Sequence, residues 1–187
     1  MEPFEYVVVL TSLILGLGIA QILTSLADIV SNAKNVKLGV AHSFMVFVIF
    51  MNLIQEWWHS YQYTNTVEVW TLPLVLFLLV YPIFLFLLAR MLFPTGIRGH
   101  ETDLNAYYYD QWPWLFSIFL TIPIVSFFQN VFVSNLTVMS QVSQIILVLA
   151  YGAFLIFNIR NRIAHIIFTG AQSVAWIAFV FVDDSVL

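Results

Sequence analysis

Residues 72–93 read LPLVLFLLVYPIFLFLLARMLF, and between positions 74 and 89 the sole polar or helix-breaking residues are Tyr81 and Pro82. A membrane-spanning helix needs about 20 mostly apolar residues, since each adds about 1.5 Å across a hydrocarbon core of about 30 Å. This stretch has that length and almost nothing to offer water. It decides the fold class: the segment is a transmembrane helix, expected to face lipid.

Comparable stretches lie on either side. Candidate spans run over 4–30, 40–62, 72–93, 113–133, 136–159 and 163–182. The expected fold is an all-α integral membrane protein, one bundle of about six transmembrane helices in a single transmembrane domain over 1–187. The tightest connection is between the fourth and fifth spans, where Ser134, Asn135, Leu136 and Thr137 must make the turn.

Composition leads to the same class. Of 187 residues, 61% are hydrophobic and 9% charged, with a mean hydropathy of +0.94. A soluble domain carries about a quarter charged residues, so here lipid must serve as solvent for most of the surface. Cysteine is absent, which excludes disulfides, thiolate metal ligands and a cysteine nucleophile. The few Lys and Arg are spread over three loops without a basic stripe, which argues against nucleic acid as a partner. The start, Met1-Glu2-Pro3-Phe4-Glu5, is acidic where a signal peptide is basic, so the first stretch is expected to remain as a helix.

Charge is sorted by side. Lys34 and Lys37 fall in the first loop, Arg98 in the third with Arg90 at its edge, and Arg160 and Arg162 in the fifth. The opposite side holds Glu2, Glu5, Glu68, Asp183 and Asp184. Positive loops stay cytoplasmic, which predicts an N-out, C-out topology. Short loops and such sorting suit a bacterial inner membrane. Aromatic residues cluster near the span ends: Tyr6, Trp57, Trp58, Tyr61, Tyr63 and Trp70 on one side, and Tyr107, Tyr108, Tyr109, Trp112 and Trp114 on the other. Such rings favour the headgroup layer. Residues 102–112 are expected to form a short cytoplasmic interfacial helix capped by Thr102 or Asp103, with Pro113 in the first turn of the fourth span.

Polar residues within the spans need a reason to be there. In the first helix Ser12, Gly16, Ala20, Thr24 and Asp28 recur every fourth position, a ridge of small residues where another helix can approach closely. The expected use is packing within the protomer, or between protomers of a homo-oligomer. In the second helix Asn52, Glu56 and His59 fall within about 60° of one another, with Gln55 beside them. Glu56 lies roughly 9 Å inside the span end, so its carboxyl must be neutral, paired or facing a wet cavity. The alternative is an early helix end that leaves Glu56 and His59 in the headgroup layer. The fourth helix adds Ser126, Gln129 and Asn130, and the fifth Thr137, Ser140, Gln141 and Gln144, at similar depth. These amides are either interhelical glue or the lining of an outward-facing polar cavity.

His42 and His165 start the second and sixth spans at equal depth, which allows a b-type haem as a remote alternative; no cofactor or other metal is expected. His100, Glu101, Asp103 and Asp110 read as a solvated loop. HExxH, GxSxG and Walker patterns are missing, so an enzyme is not expected. The leading expectation is a small transporter or channel for a cation, proton or small polar solute, using Glu56, His59 and the amides. The alternative is a non-catalytic membrane subunit or scaffold that binds a partner membrane protein or lipid.

Overall fold

The computed structural model describes residues 3–61, 63–67, 69–97 and 101–182. Among the described residues the regular structure is helical apart from a two-residue strand pair, and six helices are long and apolar enough to cross a membrane. In chain order the elements are α1 (Pro3–Ser31), β1 (Val36–Lys37), α2 (Val40–Ser60), the short α3 (Tyr63–Thr66), α4 (Leu72–Met91), β2 (Thr102–Asp103), α5 (Leu104–Phe132), α6 (Val142–Ile156) and α7 (Arg162–Val182).

The central helix is α2. Half of its most apolar window is buried, against 17% for α6 and α7, and it packs on α1, α4, α5 and α7. Its buried face, Met45, Val48, Ile49, Asn52, Leu53 and Glu56, follows the three- and four-residue spacing of a helix stripe. On α1 the face turned to the bundle is Val7, Thr11, Leu15, Gly18, Ile22, Ser25 and Ile29. Gly18 lets α1 come close to α2, because a Cβ there would lie 2.9 Å from Leu53 Cδ2. The ridge of small residues is on another face. Gly16, Ala20 and Thr24 are exposed, Ser12 and Asp28 are half-buried, and a Cβ on Gly16 would meet nothing within 4 Å. Gly16, Ala20 and Thr24 of this ridge therefore do not pack within the protomer, whereas Gly18 and Ser25, off the ridge, face the core.

Two further expectations are corrected. First, α4 does not face outward all round: Leu72, Leu76, Ile83 and Leu87 are exposed, but another face is buried. It packs on α1, α2 and α5, burying Leu78, Tyr81, Pro82, Leu85, Leu88 and Ala89. Uniform hydrophobicity carries no periodic signal to distinguish a buried face from a lipid-facing one. Second, no separate interfacial helix precedes the fourth span. A single helix of 29 residues runs through Pro113 and Pro123, about 43 Å at about 1.5 Å per residue. Asp103 caps it as expected, its Oδ1 accepting from the backbone N–H of Ala106 at 2.9 Å. Tyr108 and Trp112 are core residues rather than members of a headgroup belt, whereas Trp114 is exposed.

Every described Lys and Arg lies at one end of the bundle, where the loops are tied together. β1 and β2 pair in parallel, Val36 with Thr102 and Lys37 with Asp103. The Asn32 side chain donates to Ile97 O at 2.7 Å, and Arg162 Nη2 donates to Asn105 Oδ1 at 2.9 Å. Gly39 passes so close to Asn105 that a Cβ would lie 2.8 Å from its Cα. Arg98, Glu2, Glu68, Asp183 and Asp184, which carry part of the charge sorting, lie outside the described residues, as do His100 of the third loop and Gln62 at the expected end of the second span.

A polar cavity at the end opposite the basic loops

α6 and α7 are joined by a short turn, yet they diverge: α6 packs on α5, and α7 on α2. At the basic end aromatic rings fill the angle between them. The His165 ring is fully buried among Tyr108, Tyr109, Trp112, Phe116 and Phe154, with centroids 5.0 to 5.6 Å away. Both ring nitrogens are engaged: Nε2 with Ile159 O at 2.8 Å and Nδ1 with Tyr108 Oη at 2.9 Å. A carbonyl only accepts, so Nε2 carries the hydrogen, and in the neutral ring the Tyr108 hydroxyl donates to Nδ1. This holds the α6–α7 turn, where Asn158 has φ 46°, against α5. Farther along, Phe119 stacks on Tyr151 at 4.7 Å, and the Tyr151 hydroxyl donates to Gln172 Oε1 at 2.8 Å.

Beyond that bridge the helices leave a cavity of about 570 Å³ between α2, α4, α5, α6 and α7. Its wall includes every ligand candidate singled out in the sequence: Asn52, Gln55, Glu56 and His59 of α2, Gln129 and Asn130 of α5, and Gln141 and Gln144 at the start of α6. They meet because the last turns of α2 and α5 and the first turn of α6, with the residue before it, lie at the same end of the bundle. Tyr63, Tyr81, Gln172 and Trp176 join them, although the sequence did not identify these as cavity residues. The aromatic ones carried no signal, being indistinguishable from packing or interfacial rings.

Glu56 is turned into the bundle, one turn before the end of α2 at Ser60. It is 9% exposed, whereas its neighbour Trp57 is 50% exposed. Among the described residues no basic side chain pairs with it and no hydrogen bond reaches its carboxyl. Among the described residues no buried polar side-chain atom is left sealed without a partner, so the carboxyl oxygens open into the cavity. Tyr63 and Tyr81 are within electrostatic reach of that charge.

The amides divide into structural and open groups. Gln129 donates from Nε2 to Phe77 O at 3.0 Å and Leu78 O at 3.4 Å. Asn130 donates to Gln141 Oε1 at 2.8 Å, linking the α5 end to the α6 start across the turn in which Asn135 adopts φ 54°. Asn52 spends its amide on Val48 O at 2.8 Å. Gln144 Oε1 accepts from Ser143, its neighbour, and the Gln144 amide also borders the cavity.

His42 and His165 each have a ring nitrogen hydrogen-bonded to a backbone carbonyl. His42 Nε2 lies 2.8 Å from Leu92 O, and a metal at His165 would have to displace one of its two hydrogen bonds. Among the described residues no three His, Cys, Asp or Glu side chains are grouped to hold a metal ion. Comparison with protein-family models, with curated proteins and with solved structures gave no match at the significance required.

Proposed function

We propose that the chain is a small membrane transporter or channel whose polar cavity takes up a cation, a proton or a small polar solute. One observation carries this reading: Glu56 is buried within a spanning helix, unpartnered among the described residues, and open to a cavity large enough for a small molecule. An ionisable group at membrane depth is costly to keep, and such groups mark ion and solute pathways. Interhelical bonding accounts for Gln129, Asn130 and Gln141 but not for Glu56. By the positive-inside rule the basic end is cytoplasmic, so the cavity opens outward and both termini lie outside. Short loops with this sorting suit a bacterial inner membrane.

A different observation favours a second reading. Gly16, Ala20 and Thr24 form an exposed small-residue ridge on α1, a surface on which another membrane helix can seat closely. The occupant is a second copy, giving a homo-oligomer, or a partner membrane protein that this chain serves as a subunit or scaffold.

Flux from liposomes separates the two. The wild-type protein is expected to conduct protons or a member of a panel of small cations and polar solutes. Glu56→Gln, close to isosteric, is expected to lower that flux by about tenfold or more while keeping the wild-type elution volume. Wild-type flux from the variant contradicts the proposal. A stoichiometric membrane partner together with no flux favours the subunit reading.

A further inference from the structure

We propose that the solute is a small alkylated ammonium ion, held by the Glu56 carboxylate and faced by the rings of Tyr63, Tyr81 and Trp176. This rests on the cavity being a solute site, and it narrows that site to one chemical class.

Charge sets the sign. Among the described residues Glu56 is the acid of the cavity wall, and no Lys or Arg lines it. Its carboxyl faces the open volume and has no protein cation among the described residues to neutralise it. A low-dielectric cleft with one uncompensated acid concentrates cations and repels anions.

Coordination chemistry then argues against a bare metal ion. Hard cations such as Ca²⁺ and Mg²⁺ are held at about six or more oxygens. Here one carboxylate stands alone among the described residues, and Gln141 Oε1 is already engaged by Asn130. The cavity, about 570 Å³, falls within the range of small-molecule sites, about 300–1,000 Å³.

The rings supply what an organic cation needs. Tyr63 comes from α3, Tyr81 from α4 and Trp176 from α7, so aromatic residues line the cavity from three elements besides α2, which carries the acid. Both tyrosines line the same cavity as Glu56. Trp176 is steadied edge-to-face by Phe179, with centroids 5.5 Å apart. Aromatic quadrupoles attract alkylated ammonium groups, which are weakly hydrated compared with Na⁺, and the remaining amides accept or donate to any hydroxyl the solute bears.

The test is equilibrium binding of radiolabelled tetramethylammonium to the purified full-length protein, with Na⁺, tert-butanol and glycerol as competitors. Saturable binding is expected, weakened about tenfold or more by Glu56→Gln and about fivefold by Trp176→Leu. Neither Na⁺ nor tert-butanol, which copy charge and shape separately, should compete at equal concentration. The wild-type competition stands as a test even where a variant fails to fold. Absence of saturable binding, equal competition by Na⁺ or tert-butanol, or unchanged binding by a folded Glu56→Gln variant overturns the assignment. If glycerol binds the cavity and tetramethylammonium does not, the ammonium class falls while the solute-site reading stands.

Discussion

Gln129 of α5 donates its side-chain amide to Leu78 O of α4 at 3.4 Å, four residues before Pro82, and to the neighbouring Phe77 O at 3.0 Å. Proline has no N–H to return to the carbonyl four residues earlier, so Pro82 deprives Leu78 of its helical donor. Gln129 supplies the missing donor from the next helix. An amide that looked like a ligand in the sequence is therefore committed to a helix flaw on the cavity wall.

Gln129→Leu is expected to destabilise the protein by about 1 kcal/mol, within the range of interhelical bonds in membranes. In a Pro82→Ala background, where Leu78 regains a helical donor, the loss should fall to about half or less. Denaturant titration in micelles of the single and double variants reads this coupling. Equal losses in both backgrounds would show that the pairing does not serve Pro82.

The two α1 glycines are expected to behave oppositely. Gly18→Val drives a branched side chain into Leu53, which is fully buried, and should cost about 1–3 kcal/mol. Gly16→Val meets open space and should leave protomer stability unchanged. If the ridge seats a second copy, the Gly16 variant instead loses oligomer mass by light scattering. A variant with wild-type mass removes the ridge from the interface.

His165→Phe keeps a ring in the aromatic cluster but removes the partner of both Ile159 O and the Tyr108 hydroxyl. Leaving buried polar groups unpaired costs about 1–3 kcal/mol each, so a loss of about 2–4 kcal/mol is expected. The thermal midpoint in detergent checks it. An unchanged midpoint would mean that His165 does not hold the α6–α7 turn.

Much of the fold was legible because span length and apolarity are local properties. The helices Val40–Ser60, Leu72–Met91 and Arg162–Val182 fall within a few residues of their expected limits. The fourth helix was read short because Tyr107, Tyr108, Tyr109 and Trp112 resemble an interfacial belt and Pro113 resembles a start. What keeps Tyr108 and Trp112 inside is contact with His165, more than fifty residues later, which no local pattern encodes. The parallel pairing of Val36 and Thr102 spans two residues per strand and leaves no periodic trace. For the cavity, Glu56 and the amides stood out as polar stripes against apolar sequence. Tyr63, Tyr81 and Trp176 did not, because their role comes from which helices become neighbours.

The central claim, a water-filled cavity beside Glu56 that opens at the end away from the basic loops, is tested most directly by thiol accessibility. The chain has no cysteine, so single replacements have no background. Ser126→Cys and Gln144→Cys place a thiol on the cavity wall, and Leu149→Cys places one on the exposed apolar face of α6. A charged, membrane-impermeant methanethiosulfonate applied to the protein in liposomes needs a hydrated thiol, since the thiolate is the nucleophile. Rapid modification at 126 and 144 with none at 149 is the predicted result. Cavity positions as unreactive as 149 would contradict the account, leaving Glu56 in a dry packing seam.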